Sequence, residues 1–503
     1  MARGILTLLV VAAIPLLSCA AGIDRGNRSR HHLSVLMICF PASGHTAVPV
    51  AVGEELVRRG HNVTLFTVQP KDFDPSRKAA EKAGITYTSI DINASYEMFE
   101  QLLEEVGTGA SVSKWLTNVY GTATKLLHLV EDVTRTTLGA LDSPSLRKYD
   151  ILLATEITSP LAMCLSKKWG VPLIVVSTTP EFLVHPKPSW ALPGMGPLQS
   201  SEDLDFIGRL SATLEKHATS LLLPLGTKLT SVAMDCPVTA SEAANGPGVS
   251  IPNIIPTVIG FEYPHPISPL TSYTGPILTS SDEPLSEDVQ SWIDSRPVGS
   301  VVYINIDSSY FLRKKVAWAI VEGLYATGYN ALTLLRHKSV RMAILHGGIN
   351  DVQEALDSGV PLIVLPMSSG PDQWANAARV VHRRLGVTLD PTNLTGTQVA
   401  ESIRIVEKGN YHDNVNKLRK IFRHAGGVST AVDLVEFYGE VGYDHLIPAY
   451  VRYNWNWIQY YNVDVYALLL VVSVLAVWIM LAVCRFVYKE CCRKKKPAKT
   501  KRE

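Results

Sequence analysis

Met342-Ala343-Ile344-Leu345, then His346-Gly347-Gly348, then Ile349-Asn350-Asp351-Val352-Gln353-Glu354, is the stretch on which the fold turns. Four apolar residues in a row read as a strand covered on both faces, as in a parallel sheet. The His-Gly-Gly loop ends that run, and a helix is predicted from Asn350 to Ser358. Gly359-Val360-Pro361 closes the helix and Leu362-Ile363-Val364-Leu365 is the next strand. Strand, loop, helix and strand in this order form the repeating unit of a doubly wound α/β domain.

The alternation extends outward on both sides. Val301 to Ile304 is a strand, Lys315 to Tyr325 a helix, and Asp372 opens another helix. Far upstream it begins afresh. Leu33 to Phe40 is a strand, Pro41-Ala42-Ser43-Gly44-His45 a loop, and Val48, Val52 and Leu56 mark a helix closed by Arg58-Arg59-Gly60. Val63 to Val68, Ile151 to Ala154 and Leu173 to Val176 are further strands, with a helix through Leu161 and Leu165 between the last two. Residues 262–297, rich in Pro and Ser, read as the connection between the halves. The expected fold class is α/β: two facing doubly wound Rossmann-like domains, 22–261 and 298–440, plus one C-terminal transmembrane helix. Their ligand belongs in the cleft at the carboxyl ends of the strands.

Composition bounds the function. The 503 residues are 47% hydrophobic and 18% charged, which excludes a disordered or fibrous chain. Mean hydropathy is +0.13 and the net charge +1, unevenly spread. From Arg485 onward the tail carries nine Lys/Arg and two Asp/Glu, leaving 38 basic and 44 acidic residues in the body. An acidic body excludes nucleic-acid binding as the main task, since that needs a basic face. Seven cysteines, three of them in or after the last apolar run, do not make a disulfide framework, and no zinc-ligand spacing occurs.

The ends set the compartment. Residues 1–21, with an apolar core from Ile5 to Leu17 and then Ser18-Cys19-Ala20-Ala21, read as a signal peptide. Val465 to Val483 is apolar and uncharged, long enough to cross a bilayer, and 465–484 is the predicted span. Trp455, Trp457, Tyr460, Tyr461 and Tyr466 in the flank from 441 onward resemble an interfacial belt. The basic tail 485–503 keeps to the cytosolic side and leaves the body in the lumen. Lys499 and Lys501 fit a KxKxx retrieval signal, which places the chain in the endoplasmic reticulum membrane as a single-pass protein. Asn27, Asn62, Asn93 and Asn393 head glycosylation sequons; Asn62 opens a buried strand and is expected to stay unmodified. Cys491 and Cys492 are read as a reduced cytosolic pair.

The central stretch also carries chemistry. A glycine pair at a strand end lets backbone N–H groups approach a phosphate, and the helix that follows turns its positive terminus toward it. His346 can donate to a diphosphate, and Glu354, one turn in, can accept from ribose hydroxyls. Asp372 and Gln373 offer acceptors and a donor for sugar hydroxyls.

These residues, with Gly359-Val360-Pro361, Pro366, Asp372-Gln373 and Asn376, resemble the signature of the UDP-glycosyltransferases, the membrane-bound UDP-glucuronosyltransferases in particular. Leu56 to Thr64, Ser291 to Asp294 and Trp457 to Tyr460 resemble other segments of that family, so the likeness spans nearly the whole chain. It implies two facing domains of the glycosyltransferase B type. It also implies a UDP-sugar as co-substrate with no bound cofactor, and a small lipophilic acceptor in the first half, shaped by residues 95–125. Implied donor-binding residues are Ser308, His346, Gly347, Gly348, Asn350, Glu354, Asp372 and Gln373. The implied reaction is a metal-independent inverting transfer of glucuronic acid or glucose, with His45 as general base. Such a base needs an orienting carboxylate. Where the family has an aspartate this chain has Thr155, and Glu156, next to it, is the candidate.

Departures from the pattern carry expectations of their own. Asp351 stands where the family has Ser or Gly, beside the expected diphosphate. Between Ser308 and His346 the family carries two further strands and a Trp-x-Pro-Gln motif whose positions fall here on Gly328 and Ala331. Loss of a central strand would expose ladder groups; a spliced chain or weak donor binding are the two accounts. The competing reading is a catalytically weak or inactive relative, a membrane-tethered binding or regulatory partner, as a homo- or hetero-oligomer. A soluble sugar-nucleotide epimerase of the same architecture is disfavoured by the two terminal segments.

Overall fold

The computed structural model of the chain describes residues 32–39, 43–70, 76–92, 149–156, 158–177, 205–210, 250–265, 267–278, 286–306, 314–332, 337–367, 371–448, 452–453 and 455–493. The signal-peptide segment, the sequons at Asn27 and Asn93, the 95–125 region and the retrieval lysines lie outside them.

The first half runs β1 (Ser34–Cys39), α1 (Ser43–Arg58), β2 (Asn62–Pro70), α2 (Arg77–Lys82), β3 (Thr86–Ile92), β4 (Ile151–Thr155), α3 (Ser159–Trp169), β5 (Leu173–Val176), β6 (Asn253–Ile255) and β7 (Thr271–Tyr273). The strands form one sheet in the order β3-β2-β1-β4-β5-β6-β7, and every neighbouring pair is parallel. β1, β4 and β5 are continuous apolar runs because both faces are covered: Val35, Met37 and Ile151 face one layer of the core, Leu36, Ile38 and Leu152 the other. Val63, Leu65 and Phe66 of β2 are buried as expected, but Asn62 at its start is exposed even though it already pairs with Ser34 at the end of the ladder. β7 lies inside the segment read as a connection, so part of that segment is an edge strand of the first sheet.

The second half runs α4 (Glu287–Asp294), β8 (Val301–Asn305), α5 (Lys314–Thr327), β9 (Asn330–Leu332), β10 (Val340–Leu345), α6 (Ile349–Asp357), β11 (Leu362–Val364), α7 (Pro371–His382), β12 (Gly386–Thr388), α8 (Gly396–Lys408) and α9 (Tyr411–Ala425). Its sheet is β12-β11-β10-β8-β9, again all parallel. The expected break in the central ladder does not occur. β8 pairs on one side with β10 and on the other with β9, so its backbone groups are satisfied on both edges. The shortening therefore falls at the edge, where Asn330–Leu332 is the last strand, and Gly328 makes the left-handed turn into it. α5 packs closely on α8: a Cβ at Gly323 would lie 2.5 Å from Val399.

α10 (Val428–Val441) does not stay with the second half. Ala431, Val432, Val435 and Tyr438 are buried in the core of the first sheet. At roughly 1.5–3 kcal/mol for each large apolar side chain removed from water, those contacts bind the end of the chain to its beginning. Polar contacts rim the seam. Arg59 donates to Asp433 at 2.6 Å and to Glu436 at 3.0 Å, and the His61 ring meets Glu436 at 2.9 Å. In exchange, Val258 and Phe261 from the end of the first half enter the second core. There Glu262 takes two hydrogen bonds from the buried Arg379 of α7, at 3.0 and 2.8 Å, with the guanidinium also over the Tyr263 ring.

α11 (Trp457–Tyr460) precedes α12 (Val463–Arg493), whose residues Val463–Glu490 are apolar and long enough to cross a membrane.

Candidate active site

His45 was expected in a loop; the structure puts it in the first turn of α1, which begins at Ser43. Pro49 lies inside this helix and has no N–H to return to the His45 carbonyl four residues back, so the turn bearing His45 lacks a regular helical bond. The His45 side chain is 24% exposed, while the Glu156 side chain is 4% exposed, and Nδ1 of His45 stands 3.7 Å from Oε1 of Glu156. This is ion-pair range, looser than a hydrogen bond.

Glu156 is aimed by the turn after β4. Thr158 donates from Oγ1 to the carbonyl of Ile38 at 2.6 Å, which ties the turn to β1. Ser159 donates to the carbonyl of Glu156 itself at 2.8 Å. Thr155 points the other way: it is fully buried, and its N–H donates to Thr158 Oγ1 at 3.1 Å. Thr155 thus closes the turn and Glu156 meets the histidine. Cys39 at the end of β1 shares this environment; burial first, and then the Glu156 carboxylate, push its thiol far above the usual range.

The second cluster lies at the end of β10. Gly347 has φ +99°, and a Cβ there would meet Val364 at 3.0 Å and the Gln373 carbonyl at 3.1 Å, so only glycine serves. Asn376 of α7 donates to the Gly347 carbonyl at 2.9 Å and pins the loop. α6 starts at Ile349 with Gly348 as its N-cap, which has no side chain to cap the helix. Asn350 and Glu354 lie on this helix and are partly buried. The His346 side chain is 6% exposed, and its Nδ1 lies 3.4 Å from Oδ2 of Asp351. Burial, then the Asp351 and Glu354 carboxylates, push the Tyr303 phenol up to about 12. Tyr303 and Asp351 are thus part of the cluster, although sequence reasoning did not select Tyr303. Its place in the middle of β8, paired with Ala343 of β10, was the available signal.

Gln373 differs from the expectation of a cleft-facing side chain. It is 1% exposed, and its Oε1 accepts from the Met367 N–H at 2.8 Å. The loop after β11 needs an acceptor there, and Gln373 supplies it. Asp372 is in the first turn of α7. Ser308 lies outside the described residues.

The two parallel α/β sheets have the two-domain fold of the glycosyltransferase B type, which solved structures share. The kitacinnamycin glycotransferase aligns with TM-score 0.55 at 18% identity, over 81% of this chain and 99% of that one. Arabidopsis thaliana UGT89C1, solved with UDP-L-rhamnose, aligns with TM-score 0.55 at 16% identity, over 82% and 100%. The family model described as UDP-glucoronosyl and UDP-glucosyl transferase matches residues 327–498. UDP-glucuronosyltransferase 2B9 of Macaca fascicularis is 24% identical over 89% of this chain and 92% of its own length. The chain is thus similar over most of its length to UDP-glucuronosyltransferases, and its last third matches the family model.

Proposed function

We propose that this chain transfers glucuronic acid or glucose from its UDP derivative to a hydroxyl of a small lipophilic acceptor, with inversion at the anomeric carbon and without metal. His45 takes the acceptor's proton as its oxygen attacks the anomeric carbon. The bond from that carbon to the phosphate oxygen breaks, and its electron pair leaves with UDP. The observation that carries this reading is the His45–Glu156 pair. One imidazole nitrogen faces a buried carboxylate, which leaves the other as the proton acceptor and stabilises the imidazolium that forms. The nucleotide's diphosphate belongs at the start of α6, against Gly347, Gly348 and His346, with Asn350, Glu354, Asp372 and Ser308 around the donor. Members of the matched family carry UDP-glucuronosyl transfer in their names, which supports the donor class.

The body resides in the lumen of the endoplasmic reticulum, held by α12 with the basic tail in the cytosol. Asn393, exposed in a surface turn, is then open to glycosylation.

The test is direct. The full-length protein in detergent is incubated with UDP-glucuronic acid or UDP-glucose and a panel of lipophilic alcohols and phenols. Equimolar UDP and glycoside of inverted configuration are expected; the absence of product with every donor, despite saturable UDP binding, overturns the transferase reading. One observation favours the second reading, a tethered partner without activity: the Asp351 carboxylate sits at the place proposed for phosphate. Failure to bind UDP at all selects it.

A further inference from the structure

We propose that the second half carries a separate binding site for a phosphate group, held by Arg419, Arg423 and Lys338 at the opposite ends of the strands from the His346 loop.

The site is a cavity of about 400 Å³, at the lower end of the range for small-molecule pockets. It lies where β10 begins at Val340 and where α6 gives way to β11 through Asp357, Ser358 and Gly359. His346 follows the other end of β10, about 20 Å away at 3.3 Å per residue. The cavity is therefore distinct from the cluster at the start of α6.

Arg419 and Arg423 are one turn apart on α9 and share a face, and Lys338 comes from the turn before β10. Like charges at that spacing repel unless a counter-ion stands between them. Among the described residues, neither guanidinium nor the ammonium has an ion-pair partner. The arginines are not consumed in capping α6 either, because the loop takes its carbonyls from Glu354 to Leu356. Ser358 N–H donates to Glu354 at 2.9 Å, Gly359 N–H to Leu356 at 3.1 Å and Val360 N–H to Ala355 at 2.9 Å. Arg419 is half-buried against Gly359, yet its enclosed Nε has no acceptor, and the enclosed hydroxyl of the adjoining Ser358 has no partner. A guanidinium drawn out of water in this way calls for an acceptor from outside the chain.

The charge balance selects the ligand. His337 also lines the cavity, but both of its ring nitrogens are engaged: Nδ1 accepts from the Ser339 N–H at 3.2 Å, and Nε2 donates to Asp294 at 3.1 Å. Asp294 in turn accepts from Gln290 at 2.8 Å. The lining then sets three permanent cations against the one carboxylate of Asp357, a surplus of two positive charges. A phosphate dianion matches that surplus, and a lone carboxylate does not. Guanidinium forks meet phosphate oxygens through paired hydrogen bonds, and the lysine adds a point charge. The same chemistry holds a soluble phosphate or a lipid headgroup.

Inorganic phosphate is titrated calorimetrically into the full-length protein in detergent, with saturating UDP present to fill any nucleotide site and chloride at equal ionic strength as the control. One saturable phosphate site is expected. Arg423→Ala and Lys338→Ala replace exposed side chains, and each should weaken phosphate binding roughly ten-fold. Arg423→Lys keeps the charge and should lose less, and Asp357→Asn should tighten binding. No saturable binding in the wild type, or binding that the folded alanine variants leave unchanged, overturns the proposal. Repeating the titration in phosphatidylcholine bilayers with and without phosphatidic acid separates the sources: competition by phosphatidic acid marks a headgroup, and unchanged phosphate affinity marks a soluble phosphate.

Discussion

Each half of the molecule sets a histidine against a carboxylate at the end of a central strand, but with the roles of the two groups reversed. In the first half the imidazole of His45 is reachable at 24% exposure and Glu156 behind it is buried at 4%. In the second half His346 is buried at 6% and Asp351 in front of it is 27% exposed. An accessible imidazole backed by a buried acid can take up a proton from outside and be steadied as it does so. In the second pair the acid, not the imidazole, is the more exposed partner. Similar separations, 3.7 and 3.4 Å, thus go with opposite orders of burial.

The contrast is sharpest under substitution. His45→Ala should lower kcat by about 10²- to 10⁴-fold. UDP affinity should stay near normal in calorimetry; a parallel loss of UDP affinity would merge the two clusters into one. Glu156→Gln keeps the shape and should lower kcat by roughly 10²-fold, with little change in acceptor KM, as measured by initial rates. A variant as active as the wild type removes the carboxylate from the proposal. On the other side, Asn376→Ala leaves the buried Gly347 carbonyl without its donor. It should cost about 1–3 kcal/mol in denaturant unfolding, and should raise donor KM more than it lowers kcat.

The smallest effect concerns acid. Hydrogen bonds from Arg58, and then from Arg59, hold the Glu55 carboxyl below its usual value against the opposing pull of burial. A lowered value in the folded state means stability that is present above the unfolded-state value of roughly 4.3 and lost as pH falls through the folded one. Because Arg58 is exposed, the contribution is expected to be under about 1 kcal/mol. Melting temperatures of Glu55→Gln and the wild type should converge as pH falls below the lowered folded-state value of Glu55.

Much of the fold was legible because buried parallel strands spell themselves as apolar runs: Leu36-Met37-Ile38, Leu152-Leu153-Ala154 and Ala343-Ile344-Leu345 need no context. Thr271-Ser272-Tyr273 and Gly386-Val387-Thr388 do. These three-residue edge strands are held by a neighbour's register and not by their own pattern. The site was legible to the extent that it is local. His346, the glycine pair and Glu354 follow one another in sequence, while the aim of Glu156 depends on Thr158 and Ser159 closing a turn beyond the strand, where alternation no longer applies. Gln373 shows the opposite case: its type suits a sugar, but the nearest unsatisfied backbone N–H claims it.

The return of α10 to the first sheet has a mechanical consequence. The chain leaves the second half, is clasped by the opening domain through Val432 and Val435, and passes Tyr443, whose hydroxyl accepts from Leu173 of that same sheet, before it reaches α12. The anchor is therefore riveted to the half bearing His45, although it follows the other half in the sequence. On the proposed reading, a bilayer holding that helix would steady the half bearing His45, and the second half would ride on it like an arm on a fixed post.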